Sequence, residues 1–334
     1  MPKLGSMRDL IKPTGELDAM QDIQVDERCS LLEKELTPAS NAVRDIAVTR
    51  RESHRVKDKM HLFTLAAVLS SISLAFALVA APYATTSINH TSFPLLLEAT
   101  LDDLTAGLES NLFTSADLVR AYSLRILEVN STLHVVTELN PDALAIATHA
   151  DELRKNGTIL GPLHGIPILI KNNIATGDAM NNTAGSFALL GAKQGDSTIA
   201  AKLRKAGAII LGKTNLSQWA NFRSNNSTNG WSAYGGQATG AYYPEQDPSG
   251  SSSGSGVASS IGLALGALGT ETSGSILSPA DVSNLVGIKP SVGLTSRHLV
   301  IPVSRSLIMI GCIWSHADDL LTHRSLSTRI LLGL

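Results

Sequence analysis

An α/β architecture, with helices covering a sheet, is what three features of this 334-residue sequence predict. Segments with apolar residues at helical spacing alternate with short apolar runs that read as strands. Aromatic residues make up only 4% of the chain beside 27 glycines, so the core has to be built from Ala, Leu, Ile and Val, with many tight turns. At 43% hydrophobic the chain is long enough to bury a sizeable core in one large domain or two ordinary ones. With 27 basic against 29 acidic residues, it lacks the basic footprint of a general nucleic-acid binder, and nucleic acid is not expected as a partner. Two isolated cysteines, Cys29 and Cys312, supply neither a metal cluster nor a disulfide scaffold, and no cofactor is expected.

The order of elements begins outside the sheet. Residues 1–59 hold 11 basic and 11 acidic side chains, no apolar periodicity, and the breakers Pro13 and Pro38, and they read as disordered. From Leu62 to Ala81 there is no charge at all. At about 1.5 Å per residue such a run spans a hydrocarbon core of roughly 30 Å. Arg50, Arg51, Arg55, Lys57 and Lys59 lie before it, so residues 60–82 read as a membrane span or, starting at Met60, a secretory signal core. Either reading sends the remainder to the lumen or outside the cell, and a membrane is a partner if the segment is not cleaved. Seven Asn-x-Ser/Thr sequons follow the run, at Asn89, Asn130, Asn156, Asn181, Asn215, Asn225 and Asn226, and none precedes it.

Beyond it, Thr114 or Ser115 caps a helix running to about Glu128, with Leu118, Ala121, Leu124 and Leu127 on one face. Asn140 and Pro141 start a second helix, with Gly157 past its end. Residues 165–171, GIPILIK, form a strand closing on a lysine. Residues 196–207 form a helix ending at Gly207, which delivers the strand 208–211. Residues 257–269 are a small-residue helix or a helix and strand, and 285–290 are strand-like.

Two motif spellings compete for function. Gly207, Gly212, Lys213 and Thr214 match a phosphate-binding loop, but the four intervening residues are strand formers, whereas a phosphate cradle needs a loop there. Gly250, Ser252 and Gly254 match a nucleophile elbow, yet Pro244 and Pro248 exclude the strand an elbow must follow. His164, His298 and His316 are available as bases, and no spacing singles one out. A third pattern joins Lys171 at a strand end, the Ser/Gly tract Ser249–Gly256, and the small-residue turn Thr272-Ser273-Gly274-Ser275. Taken alone, the tract has the composition of a flexible linker. It is embedded, however, with apolar residues resuming at Val257.

In these residues the chain resembles the amidase signature family, and within it the fungal-type amidases. The blocks that carry the likeness are GPLHGIPILIKNNIAT (161–176), GKTNLSQWANFRS (212–224), DPSGSSSGSGVASSIGLALGALGTETSGSILSP (247–279) and LVGIKPSVGLTSR (285–297), in the family's order between Phe93 and Ser304. The resemblance implies a mixed sheet covered by helices and a serine hydrolase acting on a small-molecule amide. It implies Ser275 as nucleophile, Ser251 as a bridging serine on a cis peptide and Lys171 as base, with Thr272, Ser273 and Gly274 turning backbone amides toward an oxyanion. On that reading Ser252 is a bystander, and alanine there leaves covalent labelling nearly intact.

Physical chemistry stands beside the likeness. A serine hydroxyl needs a neighbour to take its proton, and a lysine can do so only when burial lowers its pKa toward neutrality. The chain departs from the family's usual pattern at Asn172, where Asp is usual, at Ser249 and Ser273, where Gly is common, and at Leu277, where Arg is common. After Ser304 the family-like text stops. Residues 305–334 read as an atypical tail whose apolar run, Leu307 to Trp314, is expected to stand exposed, and the C-terminal part of the domain is expected to be missing. The rival reading is a catalytically inactive remnant of the fold.

Overall fold

The first described helix pair shows how local chemistry sets the architecture. In this computed structural model, residues 93–222, 226–304 and 306–315 are described; the charged stretch 1–59, the apolar run 62–81, Asn89, Asn225 and His316 lie outside them. Helix α1 (Leu101–Glu109) and helix α2 (Ser115–Leu133) each start at a threonine in a reciprocal capping box, Thr100 with Asp103 and Thr114 with Asp117. At α2 the Thr114 hydroxyl accepts from the Asp117 amide at 3.0 Å, and the Asp117 carboxylate accepts from the Thr114 amide at 3.1 Å. Asp151, on helix α3 (Ala143–Lys155), takes the next two amides, Ser115 at 2.7 Å and Ala116 at 3.0 Å. The α2 N-terminus is therefore satisfied from two sides, while Leu118, Val119, Tyr122 and Ile126 enter the core.

The sheet follows as β1 (Val136–Leu139), β2 (Pro167–Lys171), β3 (Ile209–Thr214), a small hairpin of β4 (Trp231–Ser232) and β5 (Gly236–Gln237), then β6 (Gly266–Glu271), β7 (Val286–Ile288) and β8 (Met309–Trp314). Helix α4 (Thr198–Lys205) precedes β3, α5 (Ser253–Ser260) precedes β6, and α6 (Leu277–Val282) follows β6. The main sheet has the order β1-β3-β2-β6-β8-β7. Its centre, β3-β2-β6, is parallel, and the other pairings are antiparallel, which makes the sheet mixed as expected. Every residue of β2, β3, β6 and β8 is buried, the condition of strands covered on both faces.

Several boundaries move. Helix α2 runs to Leu133 rather than Glu128. Helix α3 starts after Asp142 instead of at Pro141, and β3 extends three residues past 211 to take in Gly212, Lys213 and Thr214. Helix α1 and strand β1 are additional to the sequence reading.

The larger correction concerns the tail. The run expected to be exposed is strand β8, paired along all six residues with β6, from Met309 opposite Glu271 to Trp314 opposite Gly266. Ile308, Met309, Ile310, Cys312, Ile313 and Trp314 are all buried, and only Leu307 of that run is exposed. The reason is physical: a strand covered on both faces of its sheet must be apolar on both, and every residue of β8 is buried. A continuous apolar stretch is therefore the signature of the middle of a sheet as much as of an unmatched surface. Replacing Ile310, which is fully buried, with alanine is expected to cost about 2–5 kcal/mol in denaturant unfolding, as large-to-small core substitutions do. A cost near zero would mean that β8 does not pack as described.

Candidate functional site

Strand β2 delivers Lys171 to the sheet's interior. All five of its residues pair with β3 on one side and Leu169 and Ile170 pair with β6 on the other, and Lys171, which closes the strand, is fully buried. Its ammonium nitrogen has three acceptors in reach: Ser251 Oγ at 2.8 Å, Ser252 Oγ at 2.9 Å and the Thr270 carbonyl at 3.2 Å. Three donors meet three acceptors, none of them ionised. Burial accordingly pushes the Lys171 ammonium well below the usual range for lysine, with the Glu271 carboxylate pulling weakly the other way.

The Ser/Gly tract is a packed turn and helix, the opposite of a linker. Helix α5 lies so close to β3 that a β-carbon at Gly254 would meet the Asn215 amide nitrogen at 2.6 Å, and one at Gly256 would meet the Pro279 carbonyl of α6 at 2.9 Å. The peptide between Gly250 and Ser251 is cis, and Ser249 before it sits at φ 57°, where glycine is at ease. The turn is braced by Ser217, whose amide donates to the Ser251 carbonyl at 3.2 Å. Ser275 arrives from the turn after β6, its carbonyl accepting from the Ser252 amide at 3.1 Å. That hydrogen bond ties the turn carrying Ser251 to the one carrying Ser275. The Ser275 hydroxyl is half-buried and makes no hydrogen bond among the described residues.

The sequence reading missed the roles of two residues in this cluster. Ser252, read as a bystander, holds Lys171 directly, and its hydroxyl also contacts the Thr270 carbonyl at 3.2 Å and the Thr270 amide at 3.3 Å. Glu271 is buried at the end of β6, and its carboxylate accepts from the amides of Gly274 at 2.8 Å, Ile276 at 2.8 Å and Leu277 at 3.0 Å. It thereby shapes the 272–275 turn and stabilises the start of α6. Of the three amides expected to face an oxyanion, that of Gly274 is engaged by Glu271.

Asn172, the departure next to the lysine, points away from it. Its side-chain oxygen accepts from the Thr183 amide at 2.9 Å and hydroxyl at 2.7 Å, while its nitrogen donates to Thr137 at 3.0 Å. A carboxylate could not make that last donation, so asparagine here latches β1 and the loop after β2 together without touching the contacts of Lys171.

The competing motifs resolve in the same geometry. The phosphate-loop spelling lies along β3, and Lys213 is fully buried, donating to the Ile174 carbonyl at 2.5 Å and Asn182 Oδ1 at 2.9 Å. It clamps the loop that follows Lys171. Burial lowers its pKa to about 7, against the pull of Asp178 and Glu138. The unfolded chain, whose lysine titrates near the ordinary value of about 10.4, therefore binds more protons than the folded one between those limits. Stability is expected to rise with pH across that window and level off below it. Calorimetric melting from pH 7 to 10 tests this, and Lys213→Met should reduce the slope to the part that Lys171, also lowered by burial, still contributes.

No residue precedes Ser252 in the strand an elbow would require, since α5 follows a loop there. His164 is buried, with its ring nitrogen 2.9 Å from the Ala150 carbonyl, and His298 is exposed; neither approaches the lysine by a hydrogen bond.

Comparison with known proteins agrees with this geometry. The amidase family profile matches residues 117–326. An Arthroderma benhamiae protein named "Putative amidase" is 58% identical over 65% of this chain and 40% of its own length. The native peptide amidase of Stenotrophomonas maltophilia superposes with a TM-score of 0.65 at 47% identity, covering 66% of this chain and 46% of that one. An amidase family protein of Bacillus anthracis gives 0.70 at 33% identity, covering 77% and 52%. The chain spans less than half the length of the curated relatives it matches. Because the profile match takes in Lys171, Ser251, Ser275 and strand β8 within one continuous stretch, the chain belongs to the amidase family.

Proposed function

We infer that this site hydrolyses carboxylic amides through a Ser-Ser-Lys relay and an acyl-enzyme. The observation that carries the reading is a fully buried lysine with, among the described residues, no carboxylate bound to it and a serine hydroxyl 2.8 Å away. In its neutral form Lys171 accepts the proton of Ser251, which in turn takes the proton of Ser275 as that oxygen attacks the amide carbonyl. The proton passes back along the same path to the leaving amine, and water then cleaves the acyl-serine by the reverse relay. The amides of Thr272 and Ser273 receive the developing oxyanion. Gly274 contributes through the turn it shapes, because its own N–H is held by Glu271. The similarity to a peptide amidase supports small carboxamides, peptide amides among them, as the substrate class.

A fluorophosphonate probe applied to the full chain, followed by assay on small carboxamides, tests the reading. Covalent labelling with amide turnover supports it; no labelling at any pH from 6 to 9 defeats it. Within the relay Ser252 is a positioning residue. Ser252→Ala removes one acceptor of Lys171 and one partner of Thr270, and each such hydrogen bond between neutral groups is worth about 0.5–1.5 kcal/mol. The labelling rate is therefore expected to fall roughly 10- to 100-fold, and an unchanged rate would return Ser252 to the bystander role.

On this reading the uncharged run 62–81 and its basic flank carry the residues after Ala81 into the secretory pathway, with the segment either retained as an anchor or cleaved. The run lies outside the described residues. Among those described, no helix is long and apolar enough to cross a membrane.

A further inference from the structure

The fold separates the sequons into closed and open ones. Asn215 is fully buried, its Nδ2 donating to the His134 carbonyl at 2.8 Å and the Gly236 carbonyl at 3.2 Å, while its Oδ1 accepts from Leu216 and Ser232. Asn130 pins the end of α2 to β1, donating to the Val136 carbonyl and accepting from the Val136 amide, both at 2.8 Å. Asn181 donates to Glu138 at 2.6 Å and to the Tyr234 hydroxyl at 3.3 Å, and accepts from the Gly191 amide at 3.1 Å. At each of these a sugar on Nδ2 would take the place of a proton that a folded neighbour uses. Lost bonds of this kind leave buried polar groups unpaired.

Asn156 differs in every respect. It stands at the C-terminal end of α3 with Gly157 and Thr158, all three exposed. Its carboxamide makes no hydrogen bond among the described residues, so Nδ2 can be substituted without breaking a contact. The backbone around it is fixed: the Asn156 amide donates to Glu152 and Leu153, and the Thr158 amide to the Leu153 carbonyl at 2.8 Å. Gly157 lies at φ 76°, and a β-carbon placed there would find no atom within 4 Å, so the space over the turn is open. Ile159 and Leu160, just beyond, are half exposed, an apolar pair that the first sugars would cover.

We propose that Asn156 carries an N-linked oligosaccharide, an assignment that rests on the lumenal reading of the chain above. The step joins Nδ2 to the anomeric carbon of a lipid-diphosphate-linked oligosaccharide. The carbon–oxygen bond to the diphosphate breaks, the lipid diphosphate leaves with the bonding pair, and Nδ2 loses one proton.

The test expresses the full chain in a eukaryotic secretory host and treats the folded, soluble fraction with peptide N-glycosidase in heavy-oxygen water, which tags each formerly glycosylated asparagine. Translation with microsomes gives the same readout independently of secretion. The tag is expected on the Asn156 peptide and absent from those of Asn130, Asn181 and Asn215. Asn156→Gln should remove one step of the mass ladder without changing the melting temperature. Tags at other sequons with Asn156 bare would overturn the assignment while leaving the lumenal reading intact. A complete absence of tags would overturn both, and a tag on Asn215 in folded protein would overturn the burial argument.

Discussion

Replacing Ser275 with alanine is expected to abolish covalent labelling by a fluorophosphonate and to lower amide hydrolysis roughly 10⁴-fold or more, the scale on which nucleophile deletions act in serine hydrolases. The Ser275 hydroxyl is half-buried and makes no hydrogen bond among the described residues, and it sits on a turn tied to Ser252 by a 3.1 Å backbone hydrogen bond. Alanine retains that bond, the Glu271 contacts of the turn and the start of α6, so the variant should fold and melt as the parent does. Loss of labelling with an unchanged melt would assign the acyl group to Ser275. Labelling that survives Ser275→Ala and disappears in Ser252→Ala would move the nucleophile to the first residue before α5.

Lys171→Met is expected to have the second largest effect, a loss of about 10²–10⁴ in kcat/KM, the range of general-base contributions. Methionine preserves the length and apolar stem of the side chain in a site that already excludes water. The informative readout is the pH profile. Burial holds Lys171 well below its usual range, so the parent's rate should fall as pH drops through that lowered value, because the protonated amine cannot accept from Ser251. The variant's residual rate should lose that acidic limb. A residual rate with the same limb would show that another group titrates in the reaction.

Much of the fold was legible because its signals are local. The alternation of apolar helix faces with strand runs such as PILIK and AIIL is written in consecutive residues, and the caps at Thr114 and Gly207 mark boundaries by their own chemistry. Strand β1 escaped because four residues, VTEL, with two of them half-buried, carry no periodicity of their own. Strand β8 was visible as an apolar run but misread, since burial on both faces is decided by the elements packed on the sheet, helix α5 among them, and not by anything in 309–314 itself. In the site, Lys171 and the serine tract were readable as a pattern. Which of the consecutive hydroxyls at 251, 252 and 253 meets the lysine depends on how the turn at 249–252 enters α5; Ser253 turns back to the Ser249 carbonyl at 2.5 Å while its two neighbours face Lys171. The role of Glu271 is similarly hidden, because a lone acidic residue at a strand end gives no hint that three backbone amides converge on it.

The position of β8 has a consequence for the order in which the molecule assembles. Among the described residues, strand β7 joins the sheet through β8 alone, and β6 has β8 as its partner on the side away from β2. As the chain leaves the ribosome, Lys171, Ser251 and Ser275 are all available before residues 309–314 emerge, yet the strand that bears Thr270 and Glu271 still has an open edge, and β7 has nothing to pair with. The lysine's carbonyl acceptor and the clamp on the 272–275 turn are thus set in place by a strand synthesised after all three residues, through a pairing of high sequence separation that is intrinsically slow. Nascent chains stalled before residue 309 should accordingly be open to protease within 266–290, and those extended past 314 and clear of the exit tunnel should become resistant in one step.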